Sequence, residues 1–376
     1  MKSESPSIVS VQPHLRFGGS ERQSVLLANE LHQREIDTVV IEFSAGGGLE
    51  ELLNPEIRLI NLGLESHILL PVVAAKLYRA LRPLPPSLVI LKLWSALLAG
   101  FMVERHLPQH RFIYAEDLDP ATHAEFTRLG KAKQALIKGI FTRREALTAN
   151  TFAVRDSMME VYGLTQRPKV ISSAVDIGFL DQVDAEVCKT PQYEFFDSAP
   201  NGTLRVSSVG SLIPRKGLEV TRDALANIGF PVRWLVLGEG PLMSEIQGWS
   251  TSSLEICALG GLPRPFDVVR QGDLLIHSAR SEAFGIVVLE ALGVGTPVIC
   301  TQTIGGSEIA SRLGNDERFL STYVVGDVDS LRRLVVKARD EVHSRRPRAE
   351  FRDYIEPYSL KYTADAWIEY ARNAFA

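Results

Sequence analysis

Cysteine is scarce in this chain: Cys188, Cys257 and Cys300 are all it has. Their odd number and wide separation exclude a disulfide framework and a multi-thiolate zinc site. There is no GxxxxGK phosphate loop and no HExxH metal motif. Gly238-Glu239-Gly240 begins a dinucleotide fingerprint, but Met243 stands where its third glycine belongs. Long hydrophobic runs are also missing. The most apolar stretch, residues 88–103, contains Lys92 and is shorter than the roughly 20 residues of a spanning helix. The opening MKSESPSIVSVQ lacks an apolar signal core, so a cytoplasmic location is expected. Positive charge is not in excess: 41 basic residues face 45 acidic ones, a net charge of −4. That balance argues against a chain whose main business is coating nucleic acid, and no nucleic-acid partner is expected.

What is there is ordinary globular material: 376 residues, 45% hydrophobic and 23% charged, enough for two or three domains. Short β-branched runs (SIVSVQ, TVVIEF, IRLINL, SLVILKL, RFIYA, KVISS) alternate with amphipathic helix-length segments. That alternation predicts a parallel sheet covered on both faces. Residues 181–202 show no clear period and carry Pro, Asn and Gly, so they read as a linker. Alternation resumes with TLRVSSVG, VRWLVLG, LEICALG, GDLLIHS and TPVICT, and the last run, YSLKYTADAWIEYARNAF, is an amphipathic helix in need of a partner surface. A tetrapeptide repeats: Gly18-Gly19-Ser20-Glu21 follows the first strand and Gly305-Gly306-Ser307-Glu308 follows TPVICT. Either this is coincidence with serine N-capping, or both helix N-termini serve one cleft at the carboxyl ends of the strands.

The most informative segment is SARSEAFGIVVLEALGVGTPVIC. A strand leads into a loop holding Glu282, a helix begins near Phe284-Gly285, and Glu290 falls in its second turn. The N–H groups of Phe284, Gly285 and Ile286 suit an anion such as a diphosphate. A carboxylate along the helix can take a ribose diol, and one before it can take sugar hydroxyls. Taken alone, the pair reads better as two solvated glutamates flanking a capped helix.

With its glutamates separated by seven residues, this segment resembles the signature of the retaining GT-B glycosyltransferases, glycosyltransferase family four (glycosyl transferases group 1). HLRFGGSERQSVLLANELHQREIDTVVIEF is similar to the family's glycine loop, first helix and second strand. VISSAVDIGFL resembles the segment ending its first domain, and VSSVGSLIPRKGLEV the Lys-Gly turn opening its second. LVLGEGPL and TQTIGGSEI match further turns, all in family order over most of the chain. The resemblance implies an α/β GT-B architecture, two doubly wound Rossmann-like domains facing an inter-domain cleft. Residues 1–180 would form the acceptor-side domain and 203–355 the nucleotide-sugar domain, with 356–376 packing back toward the first. It implies hexosyl or N-acetylhexosaminyl transfer from a nucleotide-sugar, UDP favoured over GDP, to a saccharide or lipid-linked hydroxyl. Configuration would be retained, with no metal or other cofactor, in cell-surface polysaccharide or glycolipid synthesis. A sugar-nucleotide epimerase on the same fold, or a non-catalytic nucleotide-sugar-binding protein, are the alternatives.

Carried over by residue, the resemblance gives Lys216 and Arg215 the donor diphosphate, Glu282 the donor sugar and Glu290 the ribose. Phe284, Gly285 and Ile286 would meet the donor through their backbones. Gly18 and Gly19 would let the first loop close over donor phosphates or acceptor. Two departures stand out. Gly210-Ser211-Leu212 replaces the Gly-Arg-Leu of many members, leaving Arg215 in the arginine's place. Glu116 stands where a histidine often contacts the donor sugar, and could donate a hydrogen bond only when protonated. His14 and His277 read as packed loop histidines. Between residues 128 and 144 lie Arg128, Lys131, Lys133, Lys138, Arg143 and Arg144 with no acidic residue. Leu129, Ala132, Leu136, Ile137, Ile140 and Phe141 share one helical face there. That is either a helix packed on its sheet with a solvated basic face, or a contact with anionic lipid at the inner membrane surface.

Overall fold

The computed structural model describes residues 6–16, 18–65, 69–126, 129–181, 191–262, 264–314, 316–317, 319–341 and 354–376; Cys188 and Arg128 lie outside them. The chain divides into two compact units, Met1–Ala174 with Tyr358–Ala376, and Val175–Pro357. Each is built on one parallel sheet, as the strand–helix alternation predicts.

In the first unit the strands are β1 (Ser7–His14), β2 (Thr38–Ser44), β3 (Arg58–Asn61), β4 (Ser87–Lys92), β5 (Arg111–Glu116), β6 (Leu147–Ala149) and β7 (Lys169–Val170). Their order is β3-β2-β1-β4-β5-β6-β7, with β1 pairing to β2 through Ile8↔Thr38 and to β4 through Ser7↔Ser87. The order reverses between β1 and β4, the position where doubly wound sheets open at their carboxyl edge. Strand β4 is buried along its whole length, as a strand covered on both faces must be. The apolar stretch at residues 88–103 is this strand plus the buried helix Trp94–Val103. Gly100 lets that helix lie on β4, because a β-carbon there would come within 2.1 Å of Leu91 Cδ1.

The second unit carries β8 (Leu204–Val209), β9 (Val232–Leu237), β10 (Leu254–Ala258), β11 (Leu274–His277), β12 (Val298–Thr301) and β13 (Leu320–Tyr323), in the order β10-β9-β8-β11-β12-β13. Here the switch lies between β8 and β11. A core of Val206, Leu225, Trp234, Val236, Ile276 and Leu331 fills one face of this sheet.

Three expectations need revision. The boundary falls at Ala174/Val175 and not at residue 180. The helix Ile177–Asp181 packs on the second unit, with Leu180 Cδ1 2.6 Å from where a β-carbon on Gly293 would stand. Of the stretch read as a linker, Pro191–Asp197 is a helix whose Phe196 is buried, with Arg233 donating to the Phe195 carbonyl at 2.6 Å; residues 182–190 lie outside the described residues. Apolar anchors at long sequence separation, invisible to local periodicity, draw both segments in. Finally, neither repeated serine caps its helix: Gly18 is the N-cap of Gly19–Gln33, and Thr303 caps Ile304–Arg312 through Gly306 N–H.

The last helix, Leu360–Phe375, completes the first unit. Its Ala364, Trp367 and Ala371 join Ile8, Leu27, Leu31, Ile90 and Ile171 in one apolar cluster. Arg34 Nη1 meets Asp365 Oδ1 at 2.5 Å, and Thr363 Oγ1 donates to the Ser172 carbonyl at 3.0 Å. No helix among the described residues is long and apolar enough to cross a membrane. Replacing Trp367, 4% exposed, by alanine should destabilise the first unit by about 3–5 kcal/mol, the usual cost of removing a buried aromatic. Urea unfolding followed by far-UV circular dichroism measures this, and an unshifted first-unit transition would show that the helix is not part of that core.

Candidate functional site

In the second unit the site grows from the carboxyl ends of β8 and β11. After β8 the chain passes Gly210 and makes a tight turn, Pro214–Lys216, ended by Gly217 at φ +59°. A β-carbon on Gly217 would lie 2.4 Å from the Ser278 carbonyl oxygen. Glycine is therefore needed for both conformation and closeness. The turn is stitched to the loop after β11. Ser278 Oγ donates to the Lys216 carbonyl at 3.0 Å, Arg280 N–H to the Arg215 carbonyl at 2.8 Å, and Arg215 Nη1 to the Ser281 carbonyl at 2.7 Å.

This seating brings Lys216 Nζ to 2.5 Å from Glu282 Oε2, and His277 Nε2 lies 3.2 Å from the same oxygen. Burial alone would raise the Glu282 carboxyl. Lys216, the His277 ring and Arg215 outweigh it and hold Glu282 well below the usual carboxylate range. Burial lowers His277, so its ring is neutral at pH 7 and donates through Nε2–H. No local pattern announces this partnership, since a histidine five residues from a glutamate has no motif. Ser208–Leu212, Lys216, His277 and Ser278 line a small cavity between the two strand ends.

Glu282 leads into the helix Ile286–Gly293, whose N-cap is Gly285 at φ +83°, with no side chain capping it. Phe284 is buried and its backbone lies against Gly305, where a β-carbon would stand 2.7 Å from the Phe284 nitrogen. Gly305 N–H donates to the Glu282 carbonyl at 3.1 Å. The second glycine pair thus lets one helix seat against the loop that carries Glu282. Glu290 is buried in the second turn. The structure therefore gathers Lys216, Arg215, Glu282, Phe284, Gly285, Ile286 and Glu290 along two adjoining loops and one helix.

In the first unit, Gly18 and Gly19 open the helix Gly19–Gln33 at the end of β1. Ser20 Oγ donates to Asp117 Oδ2 at 2.7 Å, and Lys92 Nζ meets the same oxygen at 2.9 Å. Glu21 folds back over Gly18, with its Oε1 3.5 Å from His14 Nδ1. Glu116 points into the fold instead: Tyr162 OH donates to its Oε2 at 3.0 Å and Leu118 N–H to its Oε1 at 3.2 Å. Burial pushes its carboxyl up to about 8, so it is largely protonated at pH 7. The buried ion pair at this strand end belongs to its neighbour Asp117.

The basic stripe occupies the helix Gly130–Phe141, of which only Gly130, Ile140 and Phe141 are buried. Leu129 is 71% and Leu136 52% exposed, so much of the predicted apolar face does not cover the sheet. Lys133 Nζ lies 4.5 Å over the Trp94 ring, and Arg144 pairs with Glu104 at 2.5 Å.

Known proteins match both units. Residues 17–179 match the family model described as Glycosyltransferase Family 4, and residues 203–345 the one described as Glycosyl transferases group 1. A D-inositol 3-phosphate glycosyltransferase of Rhodococcus erythropolis is 28% identical over 267 residues, 65% of this chain and 57% of that protein, so the match spans little more than half of that relative. The lipopolysaccharide core biosynthesis glycosyltransferase LpsE of Rhizobium meliloti is 23% identical over 95% of this chain and 97% of its own length. Among solved structures, HepE of Anabaena in complex with UDP and glucose aligns with a TM-score of 0.75 at 17% identity, over 98% of this chain and 100% of that one. WaaG, a glycosyltransferase involved in lipopolysaccharide biosynthesis, aligns with a TM-score of 0.70 at 18% identity, over 97% of this chain and 99% of that one. With one family model matching each unit and the GT-B fold shared along its length, the chain belongs to glycosyltransferase family 4, the group 1 glycosyl transferases.

Proposed function

We propose that the chain transfers a sugar from a nucleoside-diphosphate sugar to a hydroxyl acceptor with retention of configuration. The observation that carries this reading is the convergence of Lys216 and His277 on one oxygen of Glu282, beside the helix N-terminus at Gly285. In this reading Lys216, Arg215 and the N–H groups of Phe284, Gly285 and Ile286 receive the diphosphate. Glu282, ionised, accepts hydrogen bonds from donor-sugar hydroxyls, and Glu290 takes the ribose diol. The bond from the anomeric carbon to the diphosphate oxygen breaks. The bond to the acceptor oxygen forms on the same face, and the acceptor proton leaves on the diphosphate. Charge growing on the leaving group meets Lys216, Arg215 and the helix dipole, already in place before reaction.

HepE, an Anabaena protein crystallised with UDP-glucose, supports a UDP-sugar donor and a hexosyl group. The names of LpsE and WaaG support an acceptor from lipopolysaccharide or another surface glycan, carried on lipid. The exposed Leu129 and Leu136 among Lys131, Lys133 and Lys138 support peripheral contact with an anionic membrane. Each basic residue near such a surface contributes about 1 kcal/mol.

Lys216→Ala should lower kcat roughly 100- to 1,000-fold, as loss of one preorganised donor does, and the double variant with Arg215→Ala should be slower still. Steady-state turnover of UDP-sugars is the measurement; an unchanged kcat removes Lys216 from the site. Glu290→Gln should weaken UDP binding by roughly 10-fold or more, the worth of a charged hydrogen bond, when titrated calorimetrically. Equal affinity in both proteins contradicts the ribose assignment. On phosphatidylglycerol vesicles the protein should co-sediment at low salt and detach above roughly 0.3 M, where screening has shortened the electrostatic range. Replacing Lys131, Lys133 and Lys138 with Gln should abolish the attachment. If the wild-type protein stays in the supernatant at low salt, a soluble acceptor replaces the lipid-borne one.

A further inference from the structure

The sheet of the second unit splits at its switch point. Strand β8 stays in register with β9 as far as Val209↔Leu237, and β11 with β12 as far as His277↔Cys300. Between β8 and β11, among the described residues, the register is Leu274↔Val206 and Leu275↔Ser207 and ends there, although the strands run on to Val209 and His277. The cavity beside Lys216 lies in this split, with Ser208 on one side and Ile276 and His277 on the other. A split gives a ligand room at the switch point. It also removes the ladder that would fix where the Ile276–His277 end of β11 lies. The contact from His277 Nε2 to Glu282 is already at 3.2 Å, so a small drift of that strand end would break it.

A chain of two hydrogen bonds crosses the split. Trp234 Nε1 donates to Ser208 Oγ at 3.0 Å, and Ser208 Oγ donates to the Ile276 carbonyl at 2.9 Å. Trp234 is fully buried and Ser208 nearly so. The core does not ask for this pair. Side chains alternate along a strand; Leu204 and Val206, on the same face as Ser208, are core residues, and so is Val236 opposite it. An apolar side chain at 208, with a ring lacking an N–H at 234, would leave no polar group to satisfy, at little loss. Nor is the hydroxyl at the disposal of a phosphate in the cavity. Its one proton goes to Ile276, and the indole N–H occupies a lone pair. Each bond of such a chain polarises and strengthens the next.

We infer that Trp234, acting through Ser208, is a positioning residue: the indole–hydroxyl–carbonyl chain sets the width of the split and so holds His277 on Glu282. Its effect on turnover rests on the transferase reading. Ile276 is the residue before His277, so fixing its carbonyl fixes the backbone from which the imidazole hangs. Without the strut the strand end drifts into the cavity, His277 leaves the carboxylate, and Lys216 alone is left to orient Glu282. The groups assigned to the diphosphate are held by other bonds, those that stitch the Pro214–Lys216 turn to Ser278, Arg280 and Ser281. The strut therefore governs sugar transfer and leaves nucleotide binding alone.

The test uses the full chain with isotope-labelled histidine, UDP- and GDP-sugars as donors, and glycerol as a probe acceptor. In the wild type the His277 Nε2–H, buried against a carboxylate, should give its own imidazole proton resonance, assigned by its loss in His277→Ala. Ser208→Ala removes the link and should broaden that resonance into exchange with water. Trp234→Phe removes the N–H donor and should do so in part. Ser208→Ala should also lower donor consumption about 10-fold, the worth of one hydrogen bond to a charged group, with UDP affinity within about twofold of the wild type. In a His277→Ala background it should lower it no further, because a strut that acts through His277 then has nothing to hold. A wild type without that resonance, or an unmoved one in Ser208→Ala or Trp234→Phe, overturns the proposal. So does a loss that repeats in full in the His277→Ala background, the mark of a packing role. So does UDP binding weakened about tenfold or more in Ser208→Ala, which would make the hydroxyl a phosphate ligand. If the wild-type protein consumes none of the donors, the transferase reading fails, and the resonance still decides whether the strut holds His277. If it consumes them and Ser208→Ala does so equally, this inference alone fails.

Discussion

The carbonyl oxygen of Ser278 lies where a side chain on residue 217 would begin, and the second unit's site depends on that closeness. A bulkier residue would lift the Pro214–Lys216 turn from the loop after β11 and strip the hydrogen bonds that join them. With the turn seated, the Lys216 ammonium is fixed against Glu282, and the buried carboxylate is kept ionised by the cations around it. A flexible lysine in water would lose side-chain entropy each time it met a phosphate. This one has lost it already, during folding, which is what preorganisation means at a charged site.

The two units share a sheet plan yet handle charge in opposite ways, and the repeated Gly-Gly-Ser-Glu shows how. In the first unit the helix begins at the second glycine, so the glutamate is its third residue and turns back onto the N-terminus. In the second the helix begins one residue before the glycines, at Ile304. Its glutamate, Glu308, falls two residues further along and pairs with Arg312 at 3.4 Å. An offset of two residues against the helix start sends one carboxylate to a sheet's carboxyl edge and the other to a helix flank. The glycines differ in the same way: Gly18 makes room for a side chain, Gly305 for the backbone of Phe284.

Alternation made the sheets legible, because central parallel strands are apolar throughout and long enough to stand out. Strands β6 and β13, at Leu147–Ala149 and Leu320–Tyr323, mix Ser or Thr with few apolar residues and form no β-branched apolar run, so neither was readable. The helix Trp94–Val103 is apolar on nearly every side, so it has no polar face to betray it and merged with β4. At the site, Lys216, Glu282 and Glu290 could be singled out because turn and helix place them at fixed local offsets. The convergence of His277 on Glu282, and of Lys92 and Ser20 on Asp117, could not. Those contacts depend on which strands become neighbours, and no local pattern encodes that. Near the end of β5, sequence pointed to Glu116, while the acid that meets Lys92 and Ser20 at the sheet's carboxyl edge is Asp117. Successive residues at a strand end face opposite ways, and one position separates an interior acid from an edge acid.

The helix that completes the first unit lies at the far end of the chain, after the whole second unit. A ribosome adding about 5–20 residues per second therefore releases β1 and the Gly19–Gln33 helix long before Trp367 exists to cover them. Ile8, Leu27 and Leu31 have Ile36, Ile90 and Ile171 beside them but lack Ala364, Trp367 and Ala371 while the second unit emerges and folds. The first unit is thus the first begun and the last finished, and its apolar face is exposed for that interval to any chaperone or neighbouring chain that can hold it.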